Sequence, residues 1–169
     1  MRINMYIRFF VLLLLTILFC VGCITEGPEV VLLRYLEAIT NQDQYTCYDL
    51  LSTEDKKLID KDVVLNTESE TSGFEMFISK NTNYQILFTN KKDQKTEIQV
   101  KMTAPDYSRT WQIYFDLYYP SAGNLRHRTE TEIYEELETK YKKLIPFVSN
   151  ELAYQMVKEK DGWRVFLNI

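Results

Sequence analysis

The stretch "IYFDLYY" places Tyr114, Asp116 and Tyr118 at alternate positions, so an extended strand would set one carboxyl group between two phenols on a single face. Those groups suit proton abstraction. A carboxylate whose pKa is raised by burial acts as base, and a tyrosine O–H steadies the negative charge that develops on oxygen. The same alternation puts Trp111, Ile113, Phe115 and Leu117 on the opposite face. The more apolar face of a half-buried strand turns inward, so the polar trio is expected outside, and binding without catalysis is the leading expectation.

Other reactive groups are sparse. His127 is the only histidine, flanked by Arg126 and Arg128, and no second base or metal ligand accompanies it. No Ser-His-Asp set, phosphate-binding loop or metal cluster can be assembled, and neither a cofactor nor a metal is expected. Three cysteines occur, of which Cys47 in "YTCYDLL" reads as a small buried helix residue. Cys20 and Cys23 have CxxC spacing, but a zinc half-site needs two further ligands, and a redox pair belongs between a strand and a helix rather than in an oily run.

That run explains the pair differently. Arg2 and Arg8 precede an apolar stretch from Phe9 to Gly22, broken only by Thr16, and polarity returns at once with "ITEGPE". This is the layout of a secretory signal, and the stretch is short of the ~20 apolar residues of a membrane span. Gly22 supplies a small residue directly before Cys23. The string resembles the lipobox of prokaryotic lipoproteins, with Cys20 where leucine usually stands. The resemblance implies a signal peptide over 1–22, acyl chains on Cys23, a tether over 23–27 and a single domain over 28–169. Several acyl chains would hold the chain at a membrane, which one alone does only marginally. The expected location is the cell envelope, outside the cytoplasm.

Removing 22 of the 169 residues would leave one ordinary domain. The chain carries 20 basic and 24 acidic residues, and both leader arginines would leave with the signal. Such an acidic balance excludes nucleic acid, whose binding rests on neutralising phosphates. With Cys47 the one remaining thiol, no internal disulfide can form.

The domain opens with helical periods. Pro28 sits at a first turn, and "EVVLLRYLEAITN" predicts an amphipathic helix over 28–40, with Val30, Leu33, Leu36 (or Ala38) and Ile39 on or beside one stripe. Asp43 is placed to cap a second helix, and Ser52 to cap a third over "TEDKKLID". "FEMFISKN" reads as a short helix. From residue 84 the period becomes two: "YQILF", "TEIQVKMTAP" and "SRTWQIYFDLYY" read as strands, and "NELAYQMVKEKDGWRVFLNI" as two more around Asp161-Gly162. Between the last two groups, Thr129-x-x-Glu132 opens a helix over 130–145 that Pro146 stops. Ile133, Leu137, Tyr141 and Leu144 form its stripe, and Glu136–Lys140 and Glu138–Lys142 are spaced for ion pairs. The class is α+β.

The strings "PEVVLLRYLEAITNQDQYTCYDLLS", "VKMTAPDYS" and "DGWRVFL", in that order, resemble the nuclear transport factor two-like superfamily, and within it small prokaryotic lipoproteins of unknown function. The resemblance implies a cystatin-like cone, in which N-terminal helices cover the concave face of a curved antiparallel sheet, with a helix inserted before the last hairpin. It implies a pocket at the wide end, for which Trp111, Phe115, Tyr84 and Tyr154 are the candidate lining, and Trp163 as a core anchor. The expected partner is a small apolar ligand or an envelope protein. An assembly role without ligand is the alternative, and the resemblance admits a homodimer through the outer sheet face. Some members of the superfamily are isomerases and cyclases, which is the setting in which Asp116 would act as base with Tyr114 and Tyr118 as donors.

Overall fold

Pro28, in the first turn behind Gly27, starts helix α1 (Pro28–Thr40) where its missing N–H costs nothing. The computed structural model describes residues 26–62, 71–119 and 128–168. The leader with Cys20 and Cys23, the stretch 63–70 and His127 lie outside the described residues. Helix α1 buries Val31, Leu32, Tyr35, Leu36 and Ala38, while Val30, Leu33 and Ile39 are exposed. The expected stripe is thus rotated. The helix is apolar over a wide arc, so tertiary contact chooses among overlapping stripes.

Asp43 accepts from the Thr46 N–H at 3.0 Å and caps α2 (Gln44–Leu50). Ser52 accepts from the Asp55 N–H at 3.0 Å and caps α3 (Thr53–Leu58). Asp55 is itself buried, and its carboxylate takes the Ser52 hydroxyl at 2.7 Å and the Leu167 N–H at 2.9 Å, tying α3 to the end of the chain. Helix α4 (Gly73–Lys80) begins with a full capping box between Ser72 and Glu75.

Four antiparallel strands follow, in the spatial order β1 (Asn83–Lys92), β2 (Lys95–Pro105), β3 (Phe147–Glu159), β4 (Gly162–Phe166). Alternation along β2 sends Ile98 and Val100 inward, both fully buried, and leaves Lys101 exposed. Cross-strand partners continue that face: Val100 pairs with Ile86 and Leu152, and Met156 with Val165. The last hairpin turns on Lys160–Asp161, and Gly162 at φ 137° takes a backbone conformation that other residues rarely adopt. These inward residues and α1 form the first core, with Cys47, Tyr48 and Trp163 packed on it.

The chain between β2 and β3 overturns one expectation. "SRTWQIYFDLYY" is not a third strand but helix α5 (Tyr107–Tyr118), so the sheet has four strands rather than five. Its aromatics satisfy period two, yet Thr110, Ile113, Tyr114 and Leu117 also satisfy i, i+3, i+4, i+7, and those are the buried ones. Asp106 caps it, accepting from the Arg109 N–H at 2.7 Å. Helix α6 (Glu130–Glu136) has the expected Thr129/Glu132 box, then loosens into a π turn over Leu137–Tyr141 and a 3-10 turn over Lys142–Leu144. The wider turn shifts the stripe by a residue, so Ile145 is buried and Leu144 exposed. Both expected ion pairs form, Glu136–Lys140 at 2.7 Å and Glu138–Lys142 at 2.8 Å. Helices α4, α5 and α6 enclose a second core of Phe74, Phe77, Ile113, Tyr114, Leu117, Ile133, Leu137 and Ile145.

Candidate ligand groove

Where the second core meets the end of the sheet, the surface opens into a groove of about 500 Å³, within the range of small-molecule sites. Three helices and the sheet build it. Helix α1 contributes Ile39 and Thr40 from its last turn, with Gln42 just beyond. Helix α4 contributes Phe74, Glu75, Ile78 and Ser79, followed by Thr82. The sheet supplies Tyr84 from β1, Met102 and Ala104 from β2, and Val148 and Asn150 from β3, with Tyr107 of α5 at the side.

These positions share a side because of register. Tyr84 pairs with Met102 and Met102 with Asn150, a row across three strands on the helix-facing surface. Farther along the sheet, α1 and α2 fill this surface; at this end α1 has stopped and the strands run on.

The polar groups inside are mostly spent. Thr40 donates to the Leu36 carbonyl at 3.0 Å, Ser79 to Met76 at 3.2 Å and Thr82 to Ile78 at 2.8 Å. Burial raises the pKa of Tyr84 above the ordinary phenol value, and the neighbouring Thr40 hydroxyl draws it back in part. The Glu75 carboxylate accepts from the Ser72 N–H at 3.0 Å. A molecule in the groove would meet apolar surface with acceptor oxygens at its margins.

Of the four expected lining residues, Tyr84 lies in the groove. Tyr154 packs on the first core instead, half-buried. Trp111 and Phe115 are corrected more sharply: on a helix rather than a strand, they stand exposed on the surface of α5, 46% and 49% accessible. The expected trio also separates. Tyr114 turns inward, Asp116 is exposed, and Tyr118 stacks on Tyr114 with ring centroids 5.7 Å apart. Helical geometry breaks the shared face, since positions two apart lie far around the axis.

Tyr114 has a carboxylate beside it that the sequence did not suggest. Its hydroxyl donates to Glu130 at 3.1 Å, and Glu130 also accepts from the Gly73 N–H at 2.6 Å. Burial, with the Glu130 charge second, pushes the Tyr114 phenol up to about 12. The pair fastens three helices together outside the groove. Phe74 and Ile78 were legible as an i, i+4 pair behind the Ser72-x-x-Glu75 box, but their meeting with Met102 and Ile39 is tertiary and has no local signal.

Among the described residues, no group of three or more His, Cys, Asp or Glu side chains is arranged to hold a metal ion. Nor is any helix among them long and apolar enough to cross a membrane. Comparison with family models, with characterised proteins and with solved structures returns no match. Fold and groove define the class on their own: an α+β domain of helices against a four-stranded antiparallel sheet, with a helical annex between β2 and β3 and an apolar groove at the seam.

Proposed function

We propose that this chain is an extracytoplasmic lipoprotein, held to a membrane by acyl chains on Cys23, whose domain binds a small apolar ligand without catalysis. The groove at the seam carries the binding part: it is sized for a small molecule, and its inner hydroxyls are already bonded to helix carbonyls. The anchor rests on the leader, with Gly22 before Cys23. The order of helices and meander is also compatible with a nuclear transport factor two-like cone, elaborated by the α5–α6 annex.

Native mass spectrometry of the full chain taken from its own membranes tests both parts. The expected species begins at Cys23, carries acyl mass and retains a small adduct that Ile39→Glu removes. Ile39 is 40% exposed, so a charge there blocks the groove without breaching a core. A chain that still begins at Met1 with no acyl mass ends the anchor reading. A species without adduct in either form ends the ligand reading.

Protein docking is the second reading, and one feature favours it. Tyr107, Trp111, Phe115 and Tyr119 are all exposed along α5 and just beyond it, a density of large rings that marks interaction surfaces. If a protein partner is bound there, Trp111→Glu abolishes its co-purification and leaves the small adduct in place. Unchanged co-purification removes this reading.

A further inference from the structure

The chemistry around the groove narrows the ligand class, an inference that rests on the groove being a ligand site. Binding a carboxylate or phosphate takes hydrogen-bond donors or a cation. Among the described residues that line the groove there is no Lys, Arg or His, and the charged one is Glu75, an anion. Thr40, Ser79 and Thr82 have given their protons to Leu36, Met76 and Ile78. These three hydroxyl oxygens therefore turn lone pairs toward the groove.

The donors that remain are neutral: the Tyr84 and Tyr107 hydroxyls and, at the rim, two side-chain amides. Gln42 accepts from Thr71 through Oε1, and neither its NH2 nor the side chain of Asn150, exposed on β3, makes a hydrogen bond among the described residues.

We infer that the groove takes an uncharged amphiphile, with an apolar body against Ile78, Tyr84 and Met102 and a hydroxyl- or amide-bearing head at Gln42 and Asn150, and that it discriminates against the same body ending in a carboxylate. A neutral hydroxyl head offers both a proton for the groove's acceptors and an oxygen for the rim amides. A carboxylate offers no proton, finds no cation in the lining and is repelled by Glu75.

Monooleoylglycerol and oleate share a tail and differ in the head, so they form the test. Each is offered separately, at equal concentration below its micelle threshold, to the full acylated chain, and occupancy is read by native mass spectrometry. Monooleoylglycerol is expected to bind about tenfold more tightly than oleate, with Glu75→Gln narrowing the gap about threefold. Glutamine still serves at the third position of a capping box, so the variant keeps α4, which a thermal melt checks. Loss of monooleoylglycerol in Ile39→Glu assigns it to the groove. Oleate binding as tightly as monooleoylglycerol overturns this inference and leaves the groove reading standing. If neither molecule binds, both fall.

Discussion

Two cores stand side by side in this domain, and they are held by different means. The first is a helix on a sheet: Leu32 and Leu36 of α1 press on Ile98, Val100, Met156 and Val165, under continuous ladders between neighbouring strands. The second has no ladder. Its helices α4, α5 and α6 have 8, 12 and 7 residues, lengths at which an isolated helix is marginal in water. Side-chain clasps stand in for the ladder: Glu130 grips the Gly73 N–H and the Tyr114 hydroxyl, and Asn81 Nδ2 donates to Glu138 at 2.8 Å. The annex should therefore open at lower free energy than the sheet, and the groove between them shares that softness along one wall.

Cavity-forming substitutions give the largest effect and the plainest way to break the comparison. Phe77 and Ile98 are both fully buried, one in each core. Phe77→Ala is expected to cost about 3–5 kcal/mol and Ile98→Ala about 2–5 kcal/mol. Hydrogen exchange should separate them. Phe77→Ala should deprotect amides of α4, α5 and α6 while β2 and β3 stay protected, whereas Ile98→Ala should lower protection everywhere. Equal loss across the whole chain in both variants would mean a single cooperative core.

Next in size is the closest approach inside the annex. A Cβ on Gly73 would lie 2.4 Å from the Glu130 carbonyl oxygen and 3.0 Å from the Tyr134 nitrogen, both backbone atoms. Gly73→Ala must therefore push α4 and α6 apart, at about 1–3 kcal/mol, and it also stretches the Glu130 clasp. A midpoint in urea within experimental error of the parent would show that the helices give way freely.

Much of the architecture could be read without coordinates, because its signals are local. Asp43, Ser52 and Thr129 cap helices where their spacing says they should, and the period of two in "TEIQVKMTAP" marks the strand that became β2. Helix α5 was missed because its residues satisfy two periods and its aromatics favour strands. Pro105 with a capping Asp106 was the deciding signal. The site was nearly illegible. Tyr84 lies in it, but Ile39, Ile78, Met102 and Asn150 meet there through the ending of α1 and the register of three strands, and no window of sequence contains that information.

Each core also holds a tyrosine whose phenol sits near 12, which sharpens the comparison at alkaline pH. For Tyr35 in the first core burial leads, with the neighbouring Cys47 next; for Tyr114 burial leads and the Glu130 charge follows. Both folded-state values exceed the ordinary phenol value of 10, so the folded chain holds these protons more tightly than the unfolded one. Their stabilisation is complete below pH ~10 and is lost as pH rises toward about 12. Glu130→Gln should lower the Tyr114 transition and leave that of Tyr35 unmoved, as read by ultraviolet titration of the phenolates. A shift in both, or in neither, would remove the distinction between a charge-coupled phenol and one raised by burial.

The smallest effect runs in the opposite direction and tests whether the sheet core is already optimal. Thr96 is buried opposite Met156, and its hydroxyl has no hydrogen-bond partner among the described residues. A hydroxyl left unpaired in an apolar setting costs about 1–3 kcal/mol relative to a satisfied one. Valine keeps the branched shape, the strand preference and the volume while deleting the orphan oxygen. Thr96→Val should raise stability by up to about 1 kcal/mol, the remainder being lost where the hydroxyl finds transient water. The same exchange at Thr110, whose hydroxyl donates to the Asp106 carbonyl at 2.7 Å in the annex, should instead destabilise by about 0.5–1.5 kcal/mol. Opposite signs at two buried threonines would follow from the bonding of each hydroxyl, and a loss of stability at both would show that the Thr96 hydroxyl is satisfied.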